Sequence, residues 1–537
     1  MKQKMQFWFF VFLVVLGALP CPAQYVARRV YDLNPGTNGS FPSNITAYAG
    51  SMYLSAYTLH EGRELWRYDG SSVVLATNIN ETADDIGFGV IEGNDSVPDW
   101  LTEYRGALYF SAFDPRRGGE LWRYNGTNAT RVADINRDFN DTIKLIQNSS
   151  WPNHLTVFNG ALYFSADSSS IRPDYELWKY DGTNVALVAN IHPNIGEAFG
   201  SHPHNLTVFG DGLYFSADDG SNGYELWKHA GTATSRLDIN PGATGSFPRH
   251  FTAFGSHLYF QAYTDAEGAE LWRTDGTTVS LVTNLNPGAA SSQPEFLTVF
   301  DGALYFRATD GINGHELWTY DGASATMVSN INVSADSFPK NLTPFGGRLC
   351  FAADDGVNGW ELWSFDGATA SMVTNLNVQG DAFPENFVVL GNTLFFVATT
   401  PATGYEVWAY DGTNVELAAD IYPGPGSSYP QFPEVFNGEL YFRATDNFSN
   451  WELWKLSKGP AGFPPQFTRI DRTGSEVRVT WSAPGGTTNV VQAADHLTGP
   501  YLDLSGNIVM PGSGEVVTNY VDRTVQATER FYRIVQR

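Results

Sequence analysis

The chain has 537 residues and a formal net charge of −25, which leaves room for several domains or one large repeat array. So acidic a balance argues against nucleic acid or an anionic membrane surface as partner, because phosphate binding needs a clustered positive field. With 53 Gly beside 26 Tyr, 36 Phe and 15 Trp, the composition suits short strands joined by tight turns rather than long helices.

At the N-terminus, Lys2 and Lys4 precede an apolar run from Phe7 to Leu19, followed by Cys21-Pro22-Ala23. Residues 1–23 therefore read as a secretory signal peptide, and no transmembrane segment is expected after its cleavage. Cleavage would leave Cys350 as the one cysteine. It lies in the apolar stretch Leu349-Cys350-Phe351, a core position, so no disulfide framework is expected.

Residues 24–458 are organised by one recurring element. Glu-Leu-Trp, once Glu-Val-Trp, appears with its tryptophan at Trp66, Trp122, Trp178, Trp227, Trp272, Trp318, Trp363, Trp408 and Trp454. Around each lie four short runs of β-branched and aromatic residues bounded by Gly, Asn or Asp. Pairs such as Asn159-Gly160, Asp301-Gly302, Asp181-Gly182 and Asp411-Gly412 predict two-residue hairpins. Most of the later repeats are spaced by 45 or 46 residues, which with four strands per unit is the signature of a propeller blade. The ninth repeat stops after Trp454-Lys455, while Val26 to Asn34 looks like an orphan fourth strand. An N-terminal strand completing the last blade would close the ring and remove two open edges. The fold expected is all-β, a propeller of about nine four-stranded blades. Nine exceeds the usual number, so the competing architecture is an open or imperfectly closed solenoid.

Glu-Leu-Trp-x-Tyr-Asp-Gly-Thr, as in Glu176 to Thr183, resembles the ELWxxDGT repeat family of secreted bacterial proteins. The likeness spans about Val26 to Trp454. Asn125 and Ala230 stand where the motif has Asp, and Ser71, Ala323 and Ala368 where it has Thr. The resemblance implies a secreted β-repeat protein and brings no established catalytic residues. Residues 459–465, rich in Pro and Gly, read as a linker. Residues 466–537 alternate as strands do and are similar to fibronectin type III-like β-sandwich modules, on Trp481-Ser482-Ala483-Pro484 and Phe531 to Ile534.

In a four-stranded blade the long loops and the crossovers to the next blade share one face, and ligand sites favour such loops. Three features of that face carry candidate chemistry. The first is the glutamate opening every third strand. Needed in each blade, it reads as a carboxylate accepting backbone N–H bonds from a neighbouring loop. The alternative is one weak calcium site per blade, with Asp218, Asp219 and Glu225, or Asp354, Asp355 and Glu361, as hard oxygen ligands. The second is the residue opening each inner strand: Asn44, Trp100, His154, Asn205, His250, Phe296, Asn341, Asn386 and Phe432. Trp100, His154, Asn205, His250, Asn341 and Asn386 are the candidate ligand-binding set, able to offer hydrogen bonds and stacking to a sugar. The third is the crossover from His192 to His204, where three histidines accompany Glu197, a weak zinc-like set.

No His-Glu-x-x-His, Gly-x-Ser-x-Gly, phosphate-binding Gly-rich loop or cysteine pair is present. Two functions are therefore expected to compete. One is a non-enzymatic binding or adhesion scaffold for an extracellular glycan or protein. The other is an extracellular propeller enzyme of glycoside hydrolase or polysaccharide lyase type, using carboxylates at the channel mouth.

Overall fold

The computed structural model describes Tyr25–Lys458, apart from residues 36–38, 88–89, 137–148, 170–172 and 194–198, and the strands with a few joining residues between 466 and 536. The signal peptide, the linker and Glu197 lie outside the described residues. Blade 4 shows why the sequence folds as it does. Its strands are His204–Phe209, Gly212–Asp218, Tyr224–Ala230 and Ala233–Leu237, paired antiparallel in chain order. In the second strand, Leu213, Phe215 and Ala217 pack with Tyr163 and Leu177 of blade 3, while Tyr214 packs with Leu258 and Phe260 of blade 5. The period of two thus splits a continuous apolar run between two neighbours. Leu226 and Trp227 divide in the same way, Trp227 toward blade 3 and Leu226 toward blade 5. Each fully buried Leu or Phe contributes about 1.5–3 kcal/mol.

The protein is a nine-bladed β-propeller of four-stranded blades. Eight sheets are built from consecutive strands, and the ninth joins Gln431–Phe436, Glu439–Thr445 and Trp451–Lys458 to the N-terminal strand Tyr25–Arg29. The Val30 N–H donates to the Leu453 carbonyl at 2.8 Å at this seam. The innermost strands touch their neighbours around the whole ring, the first against the ninth included, so the solenoid is not the architecture adopted. The chain divides into two compact units, the larger holding Arg28–Val415 with Asp420–Lys455. In the smaller, Gln466–Thr473, Glu476–Pro484 and Glu515–Asp522 form one sheet, and Thr488–Ala494 pairs with Phe531–Gln536 in another.

Two kinds of hairpin occur where one was expected. Asn159-Gly160 and Asp301-Gly302 are two-residue turns with both residues at positive φ. Asp181-Gly182 and Asp411-Gly412 instead begin four-residue loops. The aspartate keeps negative φ, and its carboxylate accepts two main-chain N–H groups, from Thr183 and Asn184 or from Thr413 and Asn414.

A clasp repeated at every blade junction fixes the crossover face. The Glu225 carboxylate, fully buried, accepts the N–H of Ile239 at 2.9 Å and of Asn240 at 3.3 Å, and the Ser246 hydroxyl at 2.7 Å. Ser246 and Phe247 then both donate their N–H to the Tyr224 carbonyl, and the Ser246 carbonyl accepts the N–H of Tyr263 in blade 5. One serine thereby ties the third strand of one blade to the second strand of the next. The hydroxyl recurs at Ser40, Ser96, Ser150, Ser201, Ser292, Ser337 and Ser428, each on its own glutamate at 2.6–2.7 Å. In the remaining junction, Glu361 faces Ala382, which has no hydroxyl to give.

Candidate functional site

The nine residues that open the inner strands share one backbone state. Asn44, Trp100, His154, Asn205, His250, Phe296, Asn341, Asn386 and Phe432 all have φ between 52° and 61°. Each sits where the pairing of first and second strands shifts register, as between His204 and Thr207 in blade 4. A bulge with a left-handed residue favours Gly, Asn or His and is strained for others. Backbone geometry accounts for the four asparagines and two histidines. Three asparagines also bridge blades, the amides of Asn44, Asn341 and Asn386 donating to the carbonyls of Pro98, Pro384 and Pro430. It does not account for Trp100, Phe296 and Phe432, which are 39%, 36% and 50% exposed. Phe296 and Phe432 each lie under an arginine of the second strand, and Trp100 lies against His154.

A second ring lies just outside the first. A proline immediately precedes each inner strand, from Pro42 to Pro430, and the residue before each of these repeat prolines also has positive φ: Phe41, Val97, Trp151, His202, Phe247, Gln293, Phe338, Phe383 and Tyr429. Its N–H and that of the clasp residue before it share one carbonyl in most junctions, which holds the conformation. Several of these rings stack on the third strand of the preceding blade, with His202 on Tyr175, Phe338 on His315, Phe383 on Trp360 and Tyr429 on Tyr405.

Over blades 2 to 4 the two rings open into a cavity of about 780 Å³, lined by Trp100, Asn153, His154, Ser165, His192, Gly200, His202, Pro203, His204, Asp218 and Tyr224. Trp100 lies 4.5 Å from His154, centroid to centroid, and His204 lies 5.3 Å edge-on to Tyr224. The His204 Nδ1 is 2.9 Å from the His202 carbonyl, which fixes that nitrogen as the donor. Burial first, and the His204 imidazole second, push His154 down to about 4, and the same two causes lower His202. The His154 and His202 rings are therefore neutral at pH 7 and offer one donor and one acceptor each.

Of the residues proposed from sequence, the cavity brings together Trp100 and His154, with His192, His202 and His204 of the crossover. Asn205, His250, Asn341 and Asn386 do not line it. Among the described residues, no three His, Cys, Asp or Glu are arranged to hold a metal ion. The carboxylates considered for calcium have other partners. Asp218 and Asp354 accept the N–H of Gly220 and Gly356; Asp219 accepts from Asn222 and Arg236, and Asp355 from Val357 and Asn358. Glu225 and Glu361 are clasp residues, Glu361 accepting the N–H of Leu376 and Asn377. The sequence expectation covered the residues opening the inner strands and did not extend to the aromatics before the prolines or to Tyr224. The signal was present, since six of nine repeat prolines follow Phe, Trp or Tyr.

No family model matches the chain, and no curated protein does. Solved structures resemble it at low identity. One, from a structural and mechanistic analysis of two prolyl endopeptidases, gives a TM-score of 0.37 at 12% identity, covering 66% of this chain and 55% of that one. A puromycin hydrolase mutant in complex gives 0.35 at 13%, covering 77% and 59%. A puromycin-hydrolyzing peptidase of Mycobacterium tuberculosis gives 0.34 at 11%, covering 62% and 57%. This chain thus spans somewhat over half the length of these structures, and they assign it no activity.

Proposed function

We propose that the protein is a secreted, non-enzymatic binding scaffold of the ELWxxDGT-repeat kind with a fibronectin type III-like tail, whose crossover face takes an extracellular glycan. The observation that carries this reading is the cavity over blades 2 to 4. It sets an exposed tryptophan and Tyr224 among imidazoles, a combination suited to stacking on a sugar ring and bonding its hydroxyls. Among the described residues the cavity lining has one carboxylate, Asp218, whereas glycoside hydrolysis in most families uses two across the scissile bond. Binding is therefore favoured over turnover at this site.

The test is a panel of soluble neutral and acidic polysaccharides scored for retention and for released product. Retention without product, weakened in a Trp100→Ala variant, is the expected result. Product release abolished by Asp218→Asn would overturn the scaffold reading and favour the enzyme. A protein ligand instead of a glycan would show as no retention on any polysaccharide.

A further inference from the structure

Blades 6 and 9 carry the same cassette with one difference. In each, the inner strand opens on a strained phenylalanine, and an arginine from the second strand lies over its ring: Arg307 at 4.9 Å from the Phe296 centroid, Arg443 at 4.8 Å from that of Phe432. The residue preceding the phenylalanine faces the arginine across the pair of strands. In blade 6 it is Glu295, which forms an ion pair with Arg307. In blade 9 it is Gln431, which accepts a hydrogen bond from Arg443 and leaves its charge standing. Among the described residues no carboxylate pairs with Arg443.

A second cation lies across the seam and repels it. Arg63, from the third strand of blade 1, donates to the Phe41 carbonyl at 2.9 Å, and the Phe41 N–H donates to the carbonyl of Trp451, whose ring lies 5.1 Å from the Arg443 guanidinium. Burial first and the Arg63 charge second hold Arg443 below its ordinary value. Burial also lowers Arg63, and Asp95 offsets part of that effect. The Nε of Arg443 is buried without a partner, as is that of Arg307, so the two cassettes differ in their charge balance and not at this atom. Two half-buried like charges are costly unless an anion offsets them; Asp95 does so in part for Arg63, and among the described residues no carboxylate does so for Arg443.

We propose that Arg443 and Arg63, with Gln431 and Phe432, form an oxyanion subsite at the seam between blades 9 and 1, and that its ligand is the carboxylate or sulfate of an acidic glycan. Guanidinium groups match both oxyanions with paired N–H donors, and the half-exposed Phe432 gives the adjoining sugar ring a face. This deepens the glycan reading above and rests on it. The rest of the molecule repels polyanions, with a net charge of −25, but near 0.15 M salt that repulsion is screened beyond about 8 Å. The subsite therefore acts at contact range and not by steering.

The experiment is affinity electrophoresis of the full chain in gels containing dextran, dextran sulfate or alginate at 0.15 M salt. Dextran sulfate isolates the sulfate and alginate the carboxylate. Retention on at least one acidic polymer is expected, weakened about tenfold in Arg443→Gln. Gln431→Glu, which copies blade 6 and keeps the arginine, is expected to weaken it equally without harming the fold. Acidic-polymer binding that both variants leave unchanged would overturn the proposal. So would retention on dextran alone, which leaves the glycan reading standing. Failure to bind any of the three, or the wider polysaccharide panel, would remove the glycan reading as well.

Discussion

Two sets of nine equivalent positions meet on the crossover face, and they follow opposite rules. The glutamates of the clasp are identical in all nine blades, buried, and committed to donors from the next loop. The residues opening the inner strands share a backbone conformation and differ in side chain, from asparagine to tryptophan. Where every blade needs the same group, the need is the junction's. Where one backbone state is filled by several side chains, the side chain is free to serve something else. The sharpest departures, Trp100 and the Phe432 cassette, are where the proposed ligand sites lie.

The largest effect expected from breaking this contrast is on the clasp. Glu225→Ala leaves the N–H groups of Ile239 and Asn240 and the Ser246 hydroxyl without their buried acceptor. A loss of about 3–5 kcal/mol is expected, read by urea denaturation, with glycan retention unaltered in the protein that remains folded. A loss below about 1 kcal/mol would show that water replaces the carboxylate and that the clasp is not what joins the blades.

The mouth should answer the other way. Trp100→Asn places in blade 2 the residue that blade 4 carries at the same left-handed position, Asn205. Stability should hold or rise slightly as strain is relieved, while affinity for a neutral glycan falls about tenfold, or about 1.4 kcal/mol. A fall in melting temperature with affinity unchanged would make Trp100 a packing residue.

The pH profile separates the sets by charge. Burial, opposed by the hydrogen bonds they accept, pushes Glu64, Glu120, Glu361, Glu406 and Glu452 up to about 7 and Glu316 up to about 6. Their ordinary value is 4.5, so the folded chain keeps these protons to higher pH than the unfolded one. The stability they add is whole below the unfolded value and is lost as pH rises through about 7. His154, pushed down to about 4, works in the opposite sense, its contribution lost as pH falls from 6.5 to about 4. The glutamates outnumber it, so the melting temperature is expected to fall between about pH 5 and pH 8. A profile that rises over that range would mean the clasp carboxylates are ionised throughout.

Much of this was legible in the residues. Nine Glu-Leu-Trp units, four runs apiece and an orphan N-terminal strand give the closed ring, because apolar alternation and turn chemistry are local. The Asp-Gly loops misled, since a dipeptide does not say whether its aspartate adopts positive φ or caps a longer loop with its carboxylate. The mouth was half legible. Its nine positions could be aligned by counting, but Asn and His serve both left-handed bulges and ligand sites, so the letter at Asn205 does not say which need it meets, and its positive φ supplies a backbone one. The proposed partnership of Arg443 with Arg63 was not legible, because the two lie at opposite ends of the repeat array and are brought to one seam only when the ring closes.

The smallest expected effect tests the clasp where nature has already altered it. Glu361 accepts the N–H of Leu376 at 2.8 Å and of Asn377 at 3.1 Å and lacks the hydroxyl its counterparts receive. Ala382 stands in that place, fully buried, its main chain holding the usual bonds to Trp360 and Thr399. Ala382→Ser adds one oxygen on an unaltered backbone, aimed as Ser337 aims at Glu316, where the distance is 2.6 Å. A stabilisation of about 1 kcal/mol is expected, together with a lowered Glu361 pKa, since a donor to the charged form favours it. Ser337→Ala in the preceding junction should move both quantities the opposite way. If the added serine destabilises the protein while the removed one does too, blade 8 has repacked around its alanine, and the nine junctions are not interchangeable.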